Sequence, residues 1–144
     1  MAVAAETAIR AWVNARPDLT GAGNPLSNGA YLRSQRSPAS GAYAVITRDS
    51  SSARQLVAEG DGPALARVGA LCYAGTAELA EAAAVALATA WEGLRGIRQP
   101  CGTTGVDVYV SDNVAGPSAV PLPADSGEAF CFTVSADFVL AAHQ

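Results

Sequence analysis

A helix flanked by strand-like segments constrains this chain more than any other feature of its sequence. Between Thr76 and Gly96, apolar residues recur at the spacing of a helix with one buried side. These apolar positions are Leu79, Ala83, Leu87, Ala90, Trp91 and Leu94. Thr76 is suited to cap the start, and Arg95 with Gly96 is typical of a helix end. A helix of roughly 20 residues is about 30 Å long, so this one can cover the face of a small sheet.

Strand-like segments before the helix supply part of that sheet. They are rich in β-branched, aromatic and small apolar residues, and they cover residues 30–35, 42–48, 54–58 and 64–74. The turn-forming residues between the first two segments predict a hairpin, and Gly60-Asp61-Gly62-Pro63 predicts a second hairpin between the last two.

Two further strands are predicted after the helix. Valine alternates with other residues over 106–110, and apolar residues alternate with small or polar ones over 129–140. The apolar face of the last strand consists of Phe130, Phe132, Val134, Ala136, Phe138 and Leu140. Its other face carries Cys131, Thr133, Ser135 and Asp137, so one side of the sheet is expected to be buried and the other wetter.

A short amphipathic helix is predicted over residues 3–15, and Pro17 ends it. Its apolar face consists of Ala5, Ala8, Ile9, Trp12 and Val13. The whole chain, residues 1–144, is therefore predicted to form a single α+β domain. We expect a mostly antiparallel sheet of about five or six strands, with the long helix across one face and the short helix nearby.

A proline-rich segment, residues 112–127, separates the last two predicted strands and is interpreted as a loop. Val114, Val120 and Leu122 lie among its prolines, so the segment is stiff, extended and partly apolar. Such a loop loses little entropy on docking and suits a groove on a neighbouring subunit. Packing on its own sheet is the alternative, and the sequence leaves both open.

The charged fraction is low for a domain that solvates its own surface. Charged residues make up 15% of the chain, against about 25% in ordinary soluble domains. A sparse ionic surface indicates that other chains cover part of it, although alanine, serine, threonine and glycine also provide a weakly polar surface. The net charge is −4 and no basic cluster exists, which argues against a nucleic-acid-binding surface.

Few residues carry the side chains on which catalysis depends. The only histidine, His143, is second from the end of the chain, so no Ser-His-Asp or Cys-His arrangement is expected. Cys72, Cys101 and Cys131 lack metal-ligand spacing, and the acidic residues are dispersed. We therefore predict no enzyme activity, no metal and no cofactor. The N-terminus lacks the features of a secretion signal, and no apolar run approaches the length of a membrane span.

The order of these elements resembles that of a known family. A short amphipathic helix precedes a strand at 41–48, and a later strand, 66–74, runs directly into a helix that begins with 76–83. A loop, a valine-alternating strand and a closing strand that includes 135–138 complete the pattern. Over residues 5–140, the chain is similar to the tail terminator (head–tail joining) proteins of long-tailed bacteriophages.

The resemblance implies a structural virion protein. Members of that family are α+β proteins that assemble as hexameric rings, cap the finished tail tube and connect it to the head. The partners it implies are copies of this chain, the major tail tube protein and a head-completion or connector protein. The location it implies is the head–tail interface of the virion, after assembly in the host cytoplasm. No membrane and no sequence-specific nucleic-acid contact are expected, although DNA can pass through such a ring.

Two groups of residues are predicted to make the contacts of such a ring. For contact with another subunit or the connector we predict Val120, Leu122 and Pro123. For polar docking to acidic neighbours we predict Arg33, Arg36, Arg48 and Arg54. Two other classes remain open: a different phage head–tail connector or tail tube-like subunit, and a small cytoplasmic enzyme or ligand-binding α+β domain.

Overall fold

The computed structural model describes residues 3–32, 41–48, 56–57, 64–122 and 130–142. Two helices and eight strands lie within these residues. In chain order these are β1 (Val3–Ala4), α1 (Ala5–Asn14), β2 (Ala30–Leu32), β3 (Tyr43–Arg48), β4 (Leu56–Val57), β5 (Ala64–Ala74), α2 (Ala77–Glu92), β6 (Gln99–Pro100), β7 (Val106–Val120) and β8 (Phe130–Ala142). The fold is α+β, which confirms the prediction.

Six of the strands form one mixed sheet in the order β2-β3-β5-β8-β7-β6. Four of its five strand pairs are antiparallel, and β2 with β3 is the parallel pair. The central pair, β5 with β8, is regular from Ala64↔Leu140 to Ala74↔Phe130. β1 and β4 form a separate two-stranded sheet. A mostly antiparallel sheet with one longer and one short helix is therefore confirmed.

Both predicted hairpins are wrong. β2 runs parallel to β3 because Ala44 N–H bonds to the carbonyl of Gly29 while Asn28 N–H bonds to the carbonyl of Ala42. β4 pairs with β1 and not with β5. β3 takes the edge of β5 opposite β8 over Val68–Tyr73, and the described residues of β4 find their partner in β1 at the start of the chain.

Both helices pack on the same face of the sheet. α1 buries the five residues that its apolar face predicted, and α2 buries Ala80, Ala83, Ala84, Leu87 and Trp91. The sheet side chains beneath them include Ile46, Val68, Val108 and Phe138. The alternation predicted for the last strand is confirmed from Val134 to Leu140, and Phe132 packs partly against this core. Phe130, at the start of the strand, is 43% exposed, so its predicted burial is wrong.

The start of α2 follows its prediction, but its end and one face do not. Thr76 Oγ1 accepts the Leu79 N–H at 3.2 Å, so the predicted cap is confirmed. The helix ends at Glu92 and not at Gly96, because Leu94 N–H bonds to the carbonyl of Trp91 in a tighter turn. Leu79 is 55% exposed. The face that meets the sheet begins one residue later, at Ala80, which turns Leu79 about 100° away.

Most of the segment interpreted as a proline-rich loop is a strand. β7 continues to Val120 and pairs with β8 as far as Val120↔Cys131. The pairing of β7 with β8 shifts register three times between Val110 and Ser118. Pro117 is tolerated because the outer edge of β7 pairs, among the described residues, with β6 at Asp107 and Val108 and with Arg95 at Val110, all of which precede it.

Asn14 completes the outer edge of β2. Its Nδ2 donates to the carbonyl of Ala30 at 2.9 Å, and its Oδ1 accepts the Ala30 N–H at 2.8 Å. The amide therefore takes the place of a neighbouring strand. We expect Asn14→Ala to lower the free energy of unfolding by about 2 kcal/mol, because two backbone groups lose their partners.

Urea unfolding measures this loss, and Asn24→Ala is the matched control. Asn24 also makes two side-chain hydrogen bonds, but both go to carbonyls of its own loop, at Pro17 and Thr20. The control is expected to lose less stability than Asn14→Ala. Equal losses in the two variants would contradict the strand-like role of Asn14.

Candidate functional site

The face of the sheet opposite the helices carries a tyrosine cluster. Its buried members are Tyr43, Val45, Tyr73 and Cys131, and its partly buried members are Tyr31, Leu71, Val120 and Leu122. The rings of Tyr43 and Tyr73 stack with centroids 5.3 Å apart, and Tyr31 meets Tyr43 edge-on at 6.2 Å. These contacts join β2, β3 and β5, so the cluster is a second, smaller core.

An ion pair and its hydrogen-bond partners connect β5, β8 and β7. Arg67 Nη1 lies 2.9 Å from Asp137 Oδ1, and Arg67 Nη2 donates to Ser135 Oγ at 3.2 Å. Asn113 Nδ2 donates to the other oxygen of Asp137 at 2.9 Å. Both oxygens of this carboxylate are engaged, so the arrangement favours a structural role over that of a general base.

A second ion pair secures β6 and the end of β8. Asp107 is buried, and its Oδ2 accepts from Arg98 Nε at 2.9 Å. Arg98 Nη2 also donates to the carbonyl of Ala142 at 3.0 Å. A buried carboxylate needs such a partner to remain charged.

The three cysteines are free thiols and all are buried. Burial raises the pKa of Cys72 to about 12, and the nearby Cys131 adds to the increase. Burial also raises the pKa of Cys101 to about 12, with a further contribution from Asp107. Thiols with such a pKa are poor nucleophiles near neutral pH. Within the described residues, no group of three or more His, Cys, Asp or Glu side chains is placed to hold a metal ion.

These thiols predict the reactivity and the pH dependence of the folded protein. At about pH 8, a thiol reagent is expected to leave the native chain unlabelled and to label three thiols in denaturant, because only unfolding exposes them. Between pH 9.0 and about 12, the unfolded chain releases the protons of Cys72 and Cys101 while the folded chain keeps them. The free energy of unfolding is therefore expected to fall as pH rises through this range. Fast labelling of the native protein would contradict the burial of these thiols.

The residues predicted to contact another subunit lie partly against their own sheet. Val120 ends β7, and both Val120 and Leu122 are half-buried against the tyrosine cluster. Pro123 lies outside the described residues. Contact of Val120 and Leu122 with another chain stays a prediction, and only their exposed portions are available for it.

Of the four arginines predicted to dock acidic neighbours, Arg48 lies within the described part of the chain, and Arg33, Arg36 and Arg54 lie outside it. Arg48 ends β3 and is half-buried. Its Nε and Nη1 are shielded from solvent and have no hydrogen-bond partner in the part of the chain that the structure describes. Its docking role stays a prediction.

Sequence reasoning missed an apolar surface on the outer side of α2. Leu79 is 55% exposed and Val85 is 45% exposed, and Ala82 lies exposed between them. Together with Ala77, Glu78 and Glu81, Ala82 and Val85 line a shallow groove of about 340 Å³, which we call the α2 groove. The signal was present in the sequence, because Ala82 and Val85 fall outside the predicted buried face, on the side of the helix that carries Glu78 and Glu81.

A second exposed apolar residue follows the end of α2. Ile97 is 56% exposed and lies between Arg95 and Arg98 in sequence, which are exposed as well. The backbone around it is fixed, since Ile97 N–H bonds to the carbonyl of Leu94 and Gly96 N–H bonds to that of Val110. We call residues 95–98 the Ile97 turn.

Across the described residues, neither helix has the combination of length and apolar character that crossing a membrane requires. Comparisons of this chain with protein-family models, with curated proteins and with solved structures found no match.

Proposed function

We propose that this chain is a tail terminator subunit of a long-tailed bacteriophage. In this proposal it forms a hexameric ring that caps the tail tube and joins it to the head connector. The observation that carries the proposal is the apolar outer side of α2, where Leu79, Ala82 and Val85 face away from the sheet. Glu78 and Glu81 are exposed beside them, so this side of α2 is an apolar strip edged by carboxylates, a composition that suits a contact between subunits. The sheet covers one side of α2, and in the ring a neighbouring copy covers the other.

The low charge of the chain supports the same function. Charged residues make up 15% of the sequence, against about 25% in ordinary soluble domains. Few charges therefore remain to solvate an isolated subunit, whereas a ring hides part of that surface.

The engagement of the polar groups supports a structural function without catalysis. The carboxylates of Asp107 and Asp137 are bound by arginines, and the thiols of Cys72 and Cys101 are buried with raised pKa values. In the proposed assembly the chain acts by shape, with its own copies, the tail tube protein and the connector as partners. It assembles in the host cytoplasm and remains at the head–tail interface of the virion.

Sedimentation velocity and negative-stain imaging of the purified chain, alone and mixed with tails that lack a cap, test this function. We expect closed rings of one size, either free or on tails. A chain that remains monomeric in both samples would contradict the proposal. Open tubes that lengthen with protein concentration would instead indicate a tail tube subunit.

A further inference from the structure

We propose that neighbouring copies in this ring meet head to tail, with Ile97 of one copy seated in the α2 groove of the next. The inference deepens the proposed function and rests on it, because it names the two surfaces that a ring contact requires. A closed ring repeats one heterologous contact, so each copy presents two different patches.

The α2 groove has the chemistry to receive a branched aliphatic side chain between cations. Its apolar lining consists of Ala77, Ala82 and Val85. Glu78 and Glu81 also line it, and both are exposed. The groove therefore offers an apolar contact beside two carboxylates.

The Ile97 turn offers the complementary surface. Ile97 projects from the end of α2, and Arg95 and Arg98 flank it in sequence. Arg95 bonds to Glu92 and Arg98 to Asp107, each at 2.9 Å. A guanidinium carries five N–H donors, so each arginine can bind a carboxylate of its own chain and one of a neighbour. The hydrogen-bonded backbone of the turn also limits the entropy that docking costs.

The positions of the two patches suit a ring. The groove covers the first half of α2, from Ala77 to Val85, and the Ile97 turn follows the other end of this helix, whose 16 residues span about 24 Å. One copy therefore cannot fill its own groove, and each copy can contact two neighbours.

Leu65 is the competing candidate for the groove, since it is 64% exposed. One arginine, Arg67, lies within two residues of Leu65 in sequence, whereas Arg95 and Arg98 both lie within two residues of Ile97. The charge complementarity therefore favours Ile97 over Leu65.

Charged substitutions test whether the two patches hold the ring. Ile97→Asp and Val85→Asp each place a carboxylate in the contact, and sedimentation velocity should show association weaker by on the order of 100-fold. Leu65→Asp is the matched control, because it removes a more exposed apolar side chain outside both patches, and it should assemble as the unmodified chain does. Circular dichroism and thermal unfolding check that all three variants fold. Rings that persist in both patch variants would overturn this inference and leave the proposed function standing.

Disulfide trapping tests whether these two patches meet each other. The native thiols are buried, so a mixture of Val85→Cys and Ile97→Cys chains reports on the added cysteines. Under mild oxidation we expect disulfide-linked heterodimers in the mixture and none from Ile97→Cys mixed with Leu65→Cys. Equal trapping in the two mixtures, or none in the first while rings are present, would overturn the head-to-tail pairing. Monomers of the unmodified chain, with and without tails, would refute the proposed ring itself.

Discussion

Replacing Trp91 with alanine is expected to lower the free energy of unfolding by about 4 kcal/mol. Trp91 is fully buried between α2 and the sheet, and its ring meets Phe138 edge-on with centroids 5.0 Å apart. Truncation leaves a cavity at the contact that fixes α2 on the sheet, and the regular backbone of β8 cannot collapse to fill it. Urea unfolding followed by circular dichroism measures the loss without relying on tryptophan fluorescence.

Trp91→Phe separates the cavity from the polar part of the indole. The Trp91 Nε1 is buried and has no hydrogen-bond partner among the described residues, so phenylalanine removes that donor while it leaves a smaller cavity. We expect this variant to lose about 1 to 2 kcal/mol. Trp12→Phe is the contrasting case, because Trp12 Nε1 donates to Gln99 Oε1 at 3.1 Å. That substitution removes a hydrogen bond, whereas Trp91→Phe removes none among the described residues. A Trp91→Ala protein as stable as the unmodified chain would contradict the central position of this residue.

Gly116→Ala is expected to lower the free energy of unfolding by about 3 kcal/mol. A Cβ at this position would lie 2.5 Å from the carbonyl oxygen of Thr133 and 3.1 Å from Val134 Cα, and both atoms belong to the backbone of β8. The φ of Gly116 is also +103°, a conformation that side-chain-bearing residues rarely adopt. The substitution therefore separates the second half of β7 from β8, and amide exchange of residues 118–120 should accelerate.

Gly105→Ala is the control for backbone strain alone. The φ of Gly105 is +78°, and a Cβ there meets nothing within 4 Å. We expect it to lose about 1 kcal/mol and to leave amide exchange in β7 unchanged. If both variants lost the same free energy of unfolding, the close approach of Gly116 to β8 would contribute nothing to the loss.

The local features of this fold were predictable from sequence because periodicity is a local property. The buried face of α1, the Thr76 cap and the alternation of β8 all depend on residues within a few turns or pleats of one another. Strand partners were not predictable in this way. β4 pairs with β1 at the start of the chain, and a pairing between segments so far apart in sequence leaves no local pattern.

The surfaces proposed to function here were only partly predictable. Low charge predicted that other chains cover part of the surface, but it did not show where. Assigning Leu79 to the buried face was a one-residue error in helix phase, and it concealed the apolar outer side of α2. Ile97 stands alone in a short turn, so it contributes to no periodic pattern. The proline-rich segment was interpreted as a loop because proline usually breaks strands, but an outer strand edge tolerates it.

The most direct test of the proposed function is to locate this chain on phage tails. Labelled chain is added to tails that lack a cap, and electron microscopy records the position of the label and the later growth of the tube. A tail terminator places one ring at a single end of each tail and stops elongation there. Label along the tube, label at neither end, or continued growth past a bound ring would contradict the account.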